Sequence, residues 1–173
     1  MPVASRVIES PLGPLLLVGR DGALTQLWMT PFPVPDDAPA DARDAGVLDE
    51  TARQLDAYFA GDLSAFDVPL ELDGTTFQRR VWEELLRIPF GERISYGELA
   101  RRVGRPGSAR AVGLANGRNP VSIIVPCHRV VGSDGRLTGY GGGLDRKAWL
   151  LDHEGRQGRG QLALGIGASA HPG

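Results

Sequence analysis

The sequence predicts a mixed α/β (α+β) chain in two halves: a small antiparallel sheet with a helix, then a mostly helical unit that contains a helix-turn-helix. Three observations lead there. Apolar runs broken by turn residues fill the N-terminal stretch, apolar residues at helical spacing take over from Thr75, and the charges divide at about the same place. Residues 1–76 carry four arginines against thirteen Asp and Glu, a balance of −9, whereas 77–173 carry fifteen Arg and Lys against eight acids, +7. The formal charge of −2 hides a basic second half, the kind of surface that meets a polyanion such as nucleic acid. Basic residues that merely solvate helix faces explain the charge equally well.

In the first half, RVIESP, PLLLVGR and ALTQLWM read as strands, the last two joined by Asp21-Gly22, a dipeptide suited to a tight hairpin. TPFPVPDDAPADARDAG lacks periodicity and reads as a solvated loop. VLDETARQLDAYFAG then places Val47, Leu48, Thr51, Leu55, Tyr58 and Phe59 on one helical face and stops near Gly61, so this helix should cover the sheet. The VPLEL run can add an edge strand. The first unit is expected to span 1–76.

The second unit, 77–156, begins with TTFQRRVWEELLRIP, capped by Thr75 or Thr76, with Phe77, Val81, Trp82, Leu85 and Leu86 on its apolar face. ISYGELARRVG and SARAVGLANG follow, two short helices joined by Arg105-Pro106-Gly107 in the manner of a helix-turn-helix. IIVPCHRVV reads as a buried strand that Pro126 ends. After the glycine-rich GSDGRLTGYGGG comes the helix LDRKAWLLDHEG, with Asp145 as cap and Gly155 as stop. Residues 157–173 read as a flexible tail. No signal-like N-terminus and no apolar run of about 18 residues is present, so a soluble, reduced, intracellular protein is expected.

The one cysteine of the chain, Cys127, stands between Pro126 and His128. A lone cysteine in an apolar run reads first as a buried core thiol. A nucleophile needs a reason to ionise, because the ordinary thiol pKa is about 8.5. A histidine oriented by a carboxylate supplies one, and Asp152 and Glu154 are candidates for that carboxylate. Neighbouring side chains point to opposite faces of a strand, so Cys127 and His128 cooperate only at a turn or through a water. Zinc is a weaker reading, since one Cys and three His include no paired Cys-x-x-Cys motif.

PCHRVVG, followed by TGYGGG and RKAWLLDHEG and preceded by SYGELA, ARAVG and RNP, resembles the O6-alkylguanine-DNA alkyltransferase family, most of all its bacterial Ogt-type members. The match is dense from Phe77 to Gly155 and looser over the N-terminal sheet, where the resemblance implies a ribonuclease-H-like domain. It implies that Cys127 accepts the alkyl group, that His128 is the base acting through a water, and that Glu154, rather than Asp152, orients the imidazole. Asn119 would tie the turn between recognition helix and active-site strand, and Tyr96 would donate a proton or hydrogen bond to the departing guanine. The carbonyls of Cys127 and Val130 would accept the exocyclic amine of guanine. Tyr140 and Gly141 would wall the pocket and offer a backbone amide to O6.

The resemblance also implies DNA binding. A base inside a duplex must be flipped out to enter a protein pocket. Arg110 matches the family's intercalating arginine, and Ser108 as N-cap sets it in the first turn of its helix. Ala109, Ala111 and Gly113 are small enough to let that helix lie close in the minor groove. Arg101, Arg102, Arg105 and Arg118 are candidates for phosphate contacts. The expected partner is double-stranded DNA carrying O6-alkylguanine, with O4-alkylthymine as a second candidate, and the protein is expected to be a cytoplasmic, nucleoid-associated monomer, cooperative binding on DNA being left open. No cofactor and no metal are called for, because a thiolate and a purine leaving group complete the displacement. An alkyl group on sulfur forms a thioether that water does not cleave, so each molecule acts once. Two other readings compete: a protein that marks the flipped base without repairing it, and a helix-turn-helix regulator with an incidental thiol.

Overall fold

The computed structural model describes residues 3–32, 42–140 and 142–163. Strands β1 (Ala4–Ile8), β2 (Leu15–Arg20) and β3 (Ala23–Met29) form an antiparallel meander in the order β1-β2-β3. Asp21 and Gly22 both take positive φ, 53° and 79°, the geometry of the tight hairpin turn that the dipeptide predicts. All but the last residue of β2 are buried, so this central strand has cover on both faces.

Helix α1 (Ala42–Ala60) lies on the sheet, with Leu48, Leu55 and Tyr58 almost completely buried. It ends as expected at Gly61, whose φ of +84° closes a Schellman motif: Gly61 N–H donates to the Tyr58 carbonyl and Asp62 N–H to that of Ala57. Its start is a correction. The helix begins at Ala42, inside the stretch expected to be loop, and the remainder of that loop, 33–41, lies outside the described residues.

The far edge of β3 is covered by two single parallel bridges, Leu24 with Leu70 and Leu27 with Val121. The VPLEL run therefore contributes one bridge rather than a strand. The second bridge comes from the other half of the chain, with Leu27 N–H donating to the Pro120 carbonyl and Ser122 N–H to that of Leu27. The backbone just before Cys127 is thereby bonded to the N-terminal sheet.

In the second half, α2 (Thr76–Leu85) starts at a capping box in which the Thr75 hydroxyl accepts from Gln78 N–H and the Gln78 side chain accepts from Thr75 N–H. Val81, Trp82 and Leu85 are buried, while Leu86, assigned to the same face, is 45% exposed at the C-cap. The Trp82 indole donates to the Ala115 carbonyl at 2.9 Å and so joins α2 to the helix-turn-helix, α3 (Tyr96–Arg102) and α4 (Ala109–Gly117). Ser95 caps α3 through its side chain. Ser108 holds the N-cap position of α4, but its hydroxyl makes no capping bond.

Two further corrections concern the segment around the cysteine and the last helix. Ile123 to Val125 are buried, but they form turns rather than a strand: Ile124 N–H bonds to the Ser122 carbonyl, and Val125 N–H to that of Val121. Ile123 has a φ of 73°, a left-handed conformation that costs a β-branched residue about 1–3 kcal/mol. After the cysteine, β5 (Val130–Val131) pairs in parallel with β4 (Ile94–Ser95). Helix α5 (Leu144–Ala163) runs through Gly155 instead of stopping there, and Asp145 lies within its first turn. The expected tail thus begins as helix, and 164–173 lie outside the described residues.

Candidate active site

Cys127 opens a single 3-10 turn, Cys127–Arg129, the kind of bend that lets adjacent side chains act together. The cysteine is 5% exposed and its thiol is free. Asn119 holds the approach: its Nδ2 donates to the Val125 carbonyl at 2.8 Å and its Oδ1 accepts from Val121 N–H at 2.9 Å. The bond to Val125 spans the turns before the cysteine and fixes their shape. The Cys127 carbonyl already accepts from Asn116 Nδ2 at 3.3 Å and from Val130 N–H.

His128 is fully buried and its Nε2 lies 2.8 Å from Glu154 Oε2. A carboxylate only accepts, so Nε2 carries the proton and Nδ1 presents a lone pair. Nδ1 is buried and has no hydrogen-bond partner among the described residues. Burial lowers the His128 pKa, and the Glu154 carboxylate opposes that shift. Burial would raise Glu154, but its bonds and charge interactions with His128 and then Arg129 hold it well below the usual carboxylate range.

Three groups that sequence reasoning did not assign complete this cluster. Arg129 forks onto Glu154, Nε to Oε1 at 2.8 Å and Nη2 to Oε2 at 2.9 Å, and its Nη1 donates to the Ile88 carbonyl. Tyr58 reaches in from α1, its hydroxyl donating to Glu154 Oε2 at 2.6 Å. Lys147 of α5 is fully buried and donates to the Thr138 carbonyl at 2.7 Å. For Arg129, adjacency to PCH was the only sequence signal, and for Lys147, its being the sole lysine. Tyr58 carried none beyond its place on a buried face.

Burial pushes the Cys127 thiol up, and the Asn119 amide and the Lys147 charge pull it down. Burial also depresses Lys147 itself. The Tyr96 hydroxyl donates to the same Thr138 carbonyl at 3.1 Å, and its ring lies 5.8 Å from Lys147 Nζ. Lys147 and Tyr96 together anchor the glycine-rich loop beside the thiol.

Cys127 lines a cleft of about 230 Å³ with Asn116, Asn119, Ser122 and Tyr140. The same cleft is lined by Trp28 to Pro31, at and just after the end of β3, a stretch that Arg146 of α5 holds through Thr30 Oγ1 at 2.6 Å. Asn116 Oδ1 and Tyr140 Oη are buried without partners among the described residues, so two polar atoms of the cleft-lining side chains remain unpaired. Buried polar groups normally have partners, and unpaired ones lining a cleft suit a polar ligand. Val130 is fully buried in β5, while Gly141 lies outside the described residues. Among the described residues, no group of three or more His, Cys, Asp or Glu side chains is placed to hold a metal ion, and no helix is long and apolar enough to cross a membrane.

On the helix-turn-helix, Arg110 and Ala111 are exposed in the first turn of α4, Ala109 is half-buried, and Gly113 packs where a Cβ would stand 3.6 Å from the Tyr96 ring. Arg110 and Arg118 have no ion-pair partner among the described residues. Arg105 lies over the Phe77 ring at 5.3 Å. Arg101 and Arg102 are both held by Glu98, at 2.6 and 3.2 Å, which leaves them less free to meet phosphates.

Two family models match the chain: 6-O-methylguanine DNA methyltransferase, DNA binding domain, over residues 76–156, and 6-O-methylguanine DNA methyltransferase, ribonuclease-like domain, over 3–72. A methylated-DNA–protein-cysteine methyltransferase of Mycobacterium bovis is 53% identical over 92% of the chain and 96% of its own length. One of the same name from Methanosarcina barkeri is 50% identical over 86% of the chain and 94% of its own. Among solved structures, Mycobacterium tuberculosis OGT in complex with DNA aligns with a TM-score of 0.81 and 54% identity, covering 88% of this chain and 93% of that one.

Proposed function

Because the chain belongs to the 6-O-methylguanine DNA methyltransferase family, we propose that it repairs DNA directly, by moving the alkyl group of O6-alkylguanine onto Cys127. The observation that carries this reading is the free thiol in a polar-lined cleft, next in sequence to a histidine whose Nε2 is tied to a carboxylate and whose Nδ1 is open.

The chemistry balances without a cofactor. His128 Nδ1 takes the thiol proton through a bridging water, and the imidazolium is stabilised by Glu154. The thiolate attacks the alkyl carbon, the S–C bond forms as the C–O6 bond breaks, and the guanine departs with the electron pair and recovers through water the proton that His128 took from the thiol. Lys147 and the Asn119 amide stabilise the sulfur anion beforehand. Tyr96, whose hydroxyl donates to the Thr138 carbonyl in this structure, exchanges that bond for one to the departing base. Tyr140 walls the cleft, and the Val130 carbonyl accepts the exocyclic amine of the guanine. The product is a thioether, so the protein is consumed.

The cleft admits a base only after extrusion from the duplex. Arg110 fills the gap, and Ser108, Ala109, Ala111 and Gly113 form the helix start that lies in the minor groove. O4-alkylthymine is the second candidate alkyl donor in this reading. The protein works on the chromosome, in the cytoplasm and nucleoid, as a monomer.

Intact-mass measurement after incubation with a duplex containing O6-methylguanine tests the proposal. The expected result is a gain of one CH₂ located on Cys127 and absent from Cys127→Ser. Unchanged mass together with tight, lesion-selective binding would sink it in favour of a protein that only marks the base.

A further inference from the structure

Two consecutive residues of α5 grip a single residue of α1. Glu154 Oε2 accepts the Tyr58 hydroxyl at 2.6 Å, and His153 Nε2 lies 2.7 Å from the Tyr58 carbonyl, a distance at which the imidazole N–H donates. The ring between these two anchors is completely buried among Phe59, Phe66 and His153, with centroids 5.2 to 5.3 Å away, and Phe90 at 6.1 Å. Tyr58 is 96 residues from Glu154 in sequence, and packing alone would be satisfied by phenylalanine.

The hydroxyl has a specific consequence for the carboxylate. Oε2 receives three donors, Tyr58 Oη, His128 Nε2 at 2.8 Å and Arg129 Nη2 at 2.9 Å, whereas Oε1 receives only Arg129 Nε. The Arg129 fork on its own would draw the carboxylate into the guanidinium plane. The tyrosine supplies a donor from the opposite half of the chain, keeps Oε2 on the histidine, and shares the negative charge that would otherwise fall on the imidazole.

We propose that Tyr58 is a positioning residue for alkyl transfer: through Glu154 it fixes His128 with Nδ1 open and keeps that histidine a neutral base. This is a catalytic contribution of the N-terminal half, and it rests on the reading that His128 serves Cys127. Among the described residues, the charged and titratable groups around the pair are Tyr58 from α1, the Cys127 thiol and Arg129 from the cysteine turn, Lys147 and His153 from α5 and Tyr140 from the glycine-rich loop.

The test is Tyr58→Phe, which retains the ring contacts and removes one oxygen. Without the hydroxyl, Glu154 holds a proton on His128 more strongly, so the acid limb of the rate should move to higher pH by about half a unit to one unit. Transfer from an O6-methylguanine duplex should then be about 3- to 10-fold slower on the acid limb, below the wild-type His128 pKa, and close to wild type well above it, since one unit is a factor of ten. Duplex affinity, measured in a Cys127→Ser background, should not change. The same limb is to be followed through carbamidomethylation of Cys127 by iodoacetamide, which requires no DNA. A wild type that takes up iodoacetamide but no alkyl group, with the limb still shifted in Y58F, would remove the repair reading and leave the Tyr58 coupling standing. Profiles that superimpose, or a rate lowered equally at every pH, would overturn the coupling. Should Y58F be too unstable for kinetics, the His128 ring-proton titration by NMR in the cold gives the same answer, and an unshifted titration overturns the proposal.

Discussion

His128 Nε2 lies 2.8 Å from Glu154 Oε2, and neither side chain is more than 1% exposed. This contact, between residues 26 apart in sequence, decides which histidine nitrogen carries the proton and which keeps an unpartnered lone pair. It also places a carboxylate where it is buried with two cationic or protonatable partners, so removing it has two separable effects.

Glu154→Ala leaves the Arg129 guanidinium, 8% exposed, without its counter-charge. Breaking a buried pair in this way costs about 3–5 kcal/mol. Urea unfolding should show that loss, and in the fraction that remains folded the single-turnover transfer rate should fall by about 10²–10⁴, the usual worth of an oriented general base. A variant as stable as wild type would mean that the Arg129 fork is not load-sharing in solution.

Stability should fall as the pH is lowered, in two windows. His128 has a folded pKa below its ordinary value, so the unfolded chain binds a proton that the folded one refuses, and stability is lost as pH drops below about 6.5. Glu154 is likewise depressed, and its contribution is lost as pH falls below about 4.3, through the still lower folded value. Each group contributes a limiting slope of about 1.4 kcal/mol per pH unit. Urea midpoints at pH 7.5, 6 and 5 check the first window, and His128→Gln should flatten it.

Lys147→Met keeps the aliphatic stem and removes the charge that pulls the Cys127 thiol down. Iodoacetamide should modify Cys127 about tenfold more slowly near pH 7.5 if the thiol rises by one unit. The variant also loses the bond from Nζ to the Thr138 carbonyl, so Tyr96 is left to hold the loop. An unaltered thiol reactivity would assign Lys147 to loop anchoring alone.

Arg110 is exposed at the start of α4 with no ion-pair partner among the described residues. Arg110→Ala should slow transfer from duplex DNA about 10- to 100-fold, because an unfilled gap leaves the unstacking cost of a few kcal/mol unmet. Reaction with free O6-benzylguanine should stay within a factor of about two, as that substrate has no stack to leave. Equal slowing on both would exclude the flipping role.

Local signals were legible wherever a few neighbouring residues decide the outcome. Asp21-Gly22 makes its tight turn, Thr75 with Gln78 its capping box, and Gly61 its helix stop. The family motifs around PCHR pointed to Cys127, His128 and Glu154 because their order and spacing survive in the one-dimensional record.

Where tertiary packing overrides a local preference, the sequence misled. Gly155 is a poor helix residue by about 1 kcal/mol, yet α5 runs through it. Ile123-Ile124-Val125 has the composition of a strand, yet Ile123 takes a left-handed φ and the segment folds as turns that bring Cys127 into one cleft with the end of β3.

By itself, the sequence determined the two-part α+β organisation and the charge division and pointed to the thiol, histidine and carboxylate, since periodicity, composition and motif spacing are properties of the chain alone. Only the tertiary structure decided that Arg129, Lys147 and Tyr58 surround them. Tyr58 is the clearest case: nothing within its own helix marks it. A buried carboxylate must find donors wherever the fold brings them, and here one comes from 96 residues away.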